Sequence, residues 1–217
     1  MKENPYLDKV LLVNKPVGWT SFDVVNKLRK TLHIKKIGHS GTLDPLATGL
    51  LVICTGKMTK KIPELTGLDK EYTGALLLGQ SSPSHDRETE VNEVRDISGI
   101  TPDKILNAAS LFVGSIEQIP PAHSAVKVEG KRAYQLARKG ELPELKPRTV
   151  VIHAFEITGI NLPEVRFRVA CSKGTYIRSL VRDLGEKLGT GAILTELCRT
   201  RIGNYHLADA QSIESFT

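Results

Sequence analysis

The sequence predicts a mixed protein in which strands and helices alternate within a single unit. Three observations carry that reading. Aliphatic runs such as "VLLV" at 10–13 and "LLVICT" at 50–55 have the length of strands and are bordered by turn residues. Longer segments repeat apolar residues at helical spacing, as "TYIRSLVRDLGEKLG" does. No internal repeat, low-complexity tract or long linker divides the 217 residues, a length that can bury a substantial core.

Each element follows from its local chemistry. "VLLV" reads as a strand. "SFDVVNKLRKTL" reads as a helix capped by Ser21, with Phe22, Val25, Leu28 and Leu32 on one face. "LLVICT" is a buried strand and "EYTGALLLG" another. "TPDKILNAASLFVG" is a helix with Pro102 in its first turn and Gly114 at its end. "SIEQIPPAHSAVKVEG" is a strand broken by two prolines, and "KRAYQLARKG" a short basic helix. "TVVIHAFEITGI" and "EVRFRVACSKG" form a hairpin pair. The last helix puts Ile177, Leu180, Val181, Leu184 and Leu188 on one stripe.

Composition narrows the class. With 40% hydrophobic and 25% charged residues the chain has the make-up of a soluble globular protein. No apolar run approaches the ~18 residues of a membrane span, and "VLLV" is too short for a secretory signal. A cytoplasmic protein is expected. The three cysteines, Cys54, Cys171 and Cys198, form no C-x-x-C pair, which argues against a disulfide framework or a zinc site. All three are expected to be buried thiols.

The formal charge of +6 is unevenly spread. Between Ile119 and Arg148 there are seven Lys or Arg against three Glu, and a second basic cluster, "KLRKTLHIKK", precedes the glycine-rich stretch. From Ser84 to Asp103 six acidic residues face two Arg. Such segregation suits either solvated faces or a footprint for a polyanion.

The densest turn chemistry lies in "GHSGTLDPLATGLLVICTG", from Gly38 to Gly56. "GHSG" is not a hydrolase elbow, because Thr42 occupies the last glycine position. "TGKM" lacks the first glycine and the final Ser or Thr of a phosphate loop. Asp44 before Pro45, with Gly49 following, reads locally as the cap of a one-turn helix. Arg178, flanking the stripe of the last helix, reads locally as a surface ion-pair partner, and Tyr72 as a core aromatic.

Taken together, several stretches carry a more specific reading. "LLVNKPVGWTS", "GHSGTLDPLATGLLVICTG", "KEY", "IPPAHSAVKVEGKRAYQLARKG", "CSKGTYIRSLVRDLGEKLG" and "AILTELCRTRIGNY" occur in that order. The chain resembles the tRNA pseudouridine synthase B (TruB) family over nearly its whole length, and "PLATG" after the aspartate looks like the stand-alone bacterial branch. The resemblance implies the pseudouridine synthase catalytic core, an α+β fold with a mixed, mainly antiparallel β-sheet flanked by helices. It implies one catalytic domain over 1–217 with a basic thumb at about 119–148. The chain stops at "SIESFT", and the C-terminal RNA-binding (PUA-type) domain common in the family is expected to be absent.

The implied activity is isomerisation of uridine 55 in the T-loop of tRNA, with no cofactor and no metal. Asp44 matches the catalytic aspartate, Tyr72 the tyrosine that stacks on the target uracil, and Arg178 the arginine that pairs with the aspartate. Leu197 matches an apolar wall of the same pocket, His39 the histidine that fills space left by flipped nucleotides, and Lys15 a support of the pocket floor. Lys127, Lys131, Arg132, Arg138 and Lys139 of the thumb would hold phosphates without reading sequence. The expected partner is the tRNA T-stem-loop, with no obligate protein partner and a monomeric enzyme.

Elementary chemistry fits these roles. Breaking the bond from C1′ to N1, turning the uracil and rejoining it through C5 needs no redox change. One carboxylate serves, either as a nucleophile toward sugar or base, or as a base that takes a ribose proton on a glycal route. A guanidinium beside it keeps it ionised against the cost of burial. The sequence also admits two further readings: a synthase for another structured RNA, and a tRNA-binding folding factor in which catalysis is secondary. One departure stands out. Many members carry Thr-Asp-Thr where this chain has "SSPSHDRETE", and only Asp86 keeps its place.

Overall fold

The computed structural model describes residues 4–124, 126–128, 130–137, 140–141 and 144–217. In chain order the elements are β1 (Val10–Lys15), α1 (Ser21–Thr31), β2 (Ile37–Ser40), β3 (Thr48–Thr55), α2 (Ile62–Gly67), β4 (Lys70–Leu78), β5 (Gln80–Ser81), β6 (Glu93–Val94), α3 (Pro102–Ser110), β7 (Gly114–Gln118), β8 (Lys127–Val128), β9 (Lys131–Arg132), α4 (Ala133–Ala137), β10 (Arg148–Asn161), β11 (Glu164–Cys171), α5 (Ile177–Leu188), β12 (Ala192–Ile202) and β13 (Tyr205–His206). A 3₁₀ turn, Gly56–Lys61, leads from β3 into α2. No helix among the described residues is long and apolar enough to cross a membrane.

The chain forms two compact units, Met1–Thr73 with Leu197–Thr217, and Gly74–Glu196. It passes from one to the other inside β4 and returns inside β12, so no linker marks the boundary.

In the first unit β3 is the central strand. It pairs antiparallel with β1 and β2, and parallel with β12 at Cys198↔Thr48 and Arg199↔Gly49. Leu51 and Ile53 point into a core built with Val24, Val25 and Leu28 of α1, while Leu50, Val52 and Cys54 pack with Leu65 and Ile202 on the other face. Burial on both faces is why the strand is continuously apolar rather than alternating. Each fully buried aliphatic side chain contributes about 1.5–3 kcal/mol, so truncation in this strand is costly.

Helix α1 starts one residue earlier than its sequence suggested. Thr20 is the N-cap, and a capping box closes when Asp23 N–H donates to the Thr20 hydroxyl at 3.0 Å and Thr20 N–H to the Asp23 carboxylate at 2.9 Å. That phase turns Phe22 outward, 60% exposed, and puts Ser21 on the buried face with Val24, Val25 and Leu28.

The second unit contains a long hairpin, β10 with β11, and β7 along the other edge of β10, all antiparallel. With the parallel β3–β12 pair, the architecture is the expected α+β fold with a mixed, mainly antiparallel sheet. Phe112, Phe155 and Phe167 pack edge to face, at centroid distances of 6.4 and 5.9 Å. Helix α5 buries Ile177, Leu180, Val181 and Leu184 as expected and ends at Gly189 in the left-handed conformation. Leu188, at the end of the stripe, is half-buried. Helix α3 ends at Ser110 and not at Gly114, which instead opens β7. Cys54 and Cys171 are buried thiols, but Cys198 is only partly covered.

Candidate active site

Asp44 lies in the loop between β2 and β3. The expected one-turn helix does not form. Asp44–Ala47 is a single turn with Pro45 second, closed by Ala47 N–H donating to the Asp44 carbonyl at 3.1 Å.

Five successive carbonyls of this loop are held. The Arg199 guanidinium donates through Nη2 to Gly41 O at 3.0 Å and through Nη1 to Thr42 O at 3.5 Å, while its Nε donates to Leu50 O at 2.8 Å. The Ser21 hydroxyl donates to Leu43 O at 3.2 Å and accepts from Leu43 N–H at 2.8 Å. Asp44 O is closed by Ala47. Pro45 O accepts from Lys15 Nζ at 3.3 Å and from Gly18 N–H at 2.8 Å. Loop residues normally exchange such bonds with water. Here protein donors fix the backbone on both sides of the carboxylate.

The two cations are themselves buried. Lys15 is fully covered, and its ammonium also donates to Pro16 O at 3.0 Å and Trp19 O at 2.6 Å. Burial lowers its pKa to about 8, an effect that the Asp44 carboxylate opposes and Arg199 reinforces. Because such coupling is reciprocal, Lys15 in turn favours the ionised form of Asp44. Arg199 is 1% exposed. Its backbone runs so close to β3 that a Cβ on Gly49, whose φ is +99°, would lie 2.4 Å from Arg199 O. The glycine read as a helix terminator therefore serves close strand packing.

The first unit also holds the other three pocket candidates. His39 sits on β2 opposite Ile53. Burial, then Arg199, lowers its pKa, so the imidazole is neutral, and its Nδ1 is buried with no hydrogen bond among the described residues. Tyr72, on β4, is 8% exposed. Next to it Glu71 accepts from Thr200 at 3.2 Å and lies 3.7 Å from Arg201, which sets this end of β4 beside β12. Leu197, on β12, accepts at its carbonyl from the Thr48 hydroxyl at 3.3 Å.

Arg178 belongs to the second unit. It stands in the first turn of α5, 2% exposed, not on the surface as its local context suggested. Its Nη1 donates to Ser84 O at 3.1 Å and its Nη2 to His123 O at 2.8 Å, and its Nε is 3.6 Å from the buried Asp86 carboxylate. The departed segment supports this arrangement by its own hydroxyls. Ser82 and Ser84 both donate to Asp86 O, at 2.7 and 3.3 Å, and Ser84 bonds Thr89 at 2.8 Å.

Of the thumb residues, Lys127 lies on β8, and Lys131 and Arg132 on the paired β9, with Lys127 opposite Arg132. Arg138 and Lys139 lie outside the described residues. Sequence reasoning missed Arg199 and Ser21 as site residues. The Thr20-x-x-Asp23 capping box was the available signal that frees Ser21 from capping; nothing local marks Arg199.

The arrangement offers a carboxylate on a rigid turn, with buried cations behind it and an aromatic and a leucine in the same unit. The fold is that of the pseudouridine synthases. The archaeal box H/ACA sRNP Nop10–Cbf5 complex contains a chain matched at a TM-score of 0.73 and 28% identity, over 97% of this chain and 53% of that one. A Cbf5–Nop10–Gar1 complex gives a TM-score of 0.74 at 32% identity, over 96% and 53%. This chain thus spans about half the length of those chains.

The chain belongs to the TruB family of pseudouridylate synthases: the model of the family's N-terminal domain matches residues 29–177, and that of the tRNA pseudouridylate synthase B C-terminal domain matches residues 178–217. A tRNA pseudouridine synthase B from Phocaeicola vulgatus is 54% identical over 96% of this chain and 91% of its own length. One from Flavobacterium johnsoniae is 50% identical over 100% and 98%.

Proposed function

We propose that the protein isomerises uridine to pseudouridine in tRNA, at position 55 of the T-loop. The observation that carries this reading is the Asp44 turn, a family-motif carboxylate whose flanking carbonyls are held by Arg199, Ser21 and Lys15. A carboxylate so placed is pre-oriented for attack or proton abstraction and needs no reorganisation as the reaction proceeds.

The other roles follow from the chemistry of each side chain. Arg178, held by the Ser84 and His123 carbonyls and ion-paired with Asp86, is the guanidinium that pairs with the aspartate. Tyr72 stacks on the uracil and Leu197 walls it, so the detached base turns without escaping. His39, a neutral imidazole, fills the space left by extruded bases and offsets part of their unstacking, which costs a few kcal/mol. Lys127, Lys131, Arg132, Arg138 and Lys139 grip the T-stem-loop through phosphates, and recognition is of loop shape. The enzyme acts as a monomer in the cytoplasm.

The test is incubation of the purified protein with tRNA transcripts carrying C5-tritiated uridine. Rejoining through C5 expels that tritium, so release with pseudouridine mapped to position 55 is expected. Stable tritium in every tRNA tested would overturn the reading.

A further inference from the structure

The end of the first unit opposite the Asp44 turn gathers lysines from three separate segments. Beyond Thr55, the last residue of β3, the chain enters the 3₁₀ turn that carries Lys57, Lys60 and Lys61. Lys9, before β1, is tied to Thr55: its carbonyl accepts from Thr55 N–H at 2.9 Å and from the Thr55 hydroxyl at 3.2 Å, and its N–H donates to that hydroxyl at 2.9 Å. Lys36, before β2, accepts at its carbonyl from Gly56 N–H at 2.7 Å, and Lys35 precedes it. All six lysines are exposed.

Little offsets their charge. The Asp8 carboxylate is engaged by the backbone N–H of Lys57 and lies 3.8 Å from Lys57 Nζ, so its main task is to shape the turn. Glu64, in the first turn of α2, is the other acid of these segments. Six lysines against two carboxylates repel one another and oppose folding of this end. Two of the basic residues of α1 are engaged elsewhere: Arg29 donates to Asn26, and Lys27 lies close enough to Glu214 to stabilise its charge. The lysines of "TGKMTKK", which fail as a phosphate loop, therefore acquire partners of like charge from elsewhere in the chain.

We infer that this lysine-rich end is a second RNA-contact surface, which holds the phosphate backbone of the substrate away from the reacting loop. The inference rests on the proposed function. Ammonium groups on flexible stems suit phosphates as point charges and carry no sequence information. The eight residues of β3 place this end roughly 25 Å along the strand from the Asp44 turn, at about 3.3 Å per residue. That distance exceeds one loop and its short stem, so the RNA that reaches it is duplex beyond the T-arm or another arm of the same tRNA.

The test compares wild type with a triple Lys36→Gln, Lys57→Gln, Lys60→Gln variant and with the matching triple Lys→Arg variant. Filter binding to full-length tRNA across a salt series reads the slope of log affinity against log salt. Loss of three contacts flattens that slope by roughly two to three units and weakens binding several-fold at low salt, because each phosphate contact contributes a little under one unit. The Arg variant keeps the wild-type slope. A T-arm hairpin, too short to reach this end, loses much less affinity than full-length tRNA. If wild type binds and modifies tRNA but the Gln variant shows an unchanged slope, the surface is wrong and the function stands; that outcome also leaves an acidic protein as the better partner. If wild type neither binds nor modifies any tRNA, the proposed function fails, and this surface with it.

Discussion

On the proposed function Asp44 carries the chemistry, and substitutions around it should separate binding from turnover. Asp44→Asn keeps the turn and its hydrogen bonds but supplies neither nucleophile nor base. Tritium release should fall by at least about a thousandfold, while tRNA affinity stays within roughly threefold. Arg199 acts one step back. In Arg199→Lys one ammonium cannot reach Gly41, Thr42 and Leu50 carbonyls together, so the turn loosens. The expected result is a drop in kcat of roughly tenfold or more with KM little changed, and about 2 kcal/mol lost in stability; equal losses in kcat and stability-corrected binding would make Arg199 a plain core residue.

His85 gives a pH signature. It is held at a φ of 61°, and burial, then Arg182 and Arg178, lowers its pKa to about 4, with Asp86 opposing and His123 adding a small further lowering. The unfolded chain takes up this proton near pH 6.5, and the folded one only near pH 4. Stability from this residue is therefore present above pH 6.5 and lost as pH falls toward 4. His85→Asn, which tolerates the left-handed backbone, removes that component. Urea unfolding should show wild type losing up to about 2 kcal/mol more than the variant over this window.

At the scale of elements, the junction of β3 with β12 sets the site. The two strands meet in parallel at Gly49 and Arg199, and only a missing Cβ lets them approach. Gly49→Ala introduces both a clash with Arg199 O and a strained positive φ. A loss of about 2 kcal/mol or more is expected by thermal or urea unfolding. Activity should fall further than Tm alone explains, because the displaced strand carries Arg199 off the Asp44 turn. The N-terminus of α1 works similarly: the capping box at Thr20 fixes the helix phase, and that phase delivers the Ser21 hydroxyl to Leu43.

At the scale of the molecule, the proposed site and RNA-contact residues divide between the two units. Asp44, Tyr72, His39, Lys15 and Leu197 come from the first unit, whereas Arg178 and the thumb come from the second. Replacing Lys131 and Arg132 together by Ala should weaken binding to any tRNA about equally and flatten the salt slope by roughly one to two units. Fluorescence anisotropy with matched and unrelated tRNAs measures this. A slope unchanged from wild type would remove the β8–β9 segment from the RNA surface.

The sequence by itself determined the buried central strand, the stripe of α5, the β10–β11 hairpin and, through motifs, the family; the same motifs single out Asp44 as the proposed catalytic carboxylate. These are legible because each depends on residues within a few positions of one another: a period of two or 3.6, a cap, an Asp-Pro turn. Local reading went astray where two short-range signals competed, as at Thr20 and Ser21, where either residue could cap and only packing chose the phase. The tertiary structure alone decided the partners of the buried guanidinium groups. Arg199 reaches Gly41 and Thr42 across 158 and 157 residues, and Arg178 reaches Ser84 across 94. Buried guanidinium groups must find acceptors somewhere, because leaving them unpaired costs more than ordering the chain around them. Which carbonyls they find is settled only when distant strands meet. The same holds for Lys9, Lys36 and Lys57, scattered along the chain and neighbours only because β1, β2 and β3 end together.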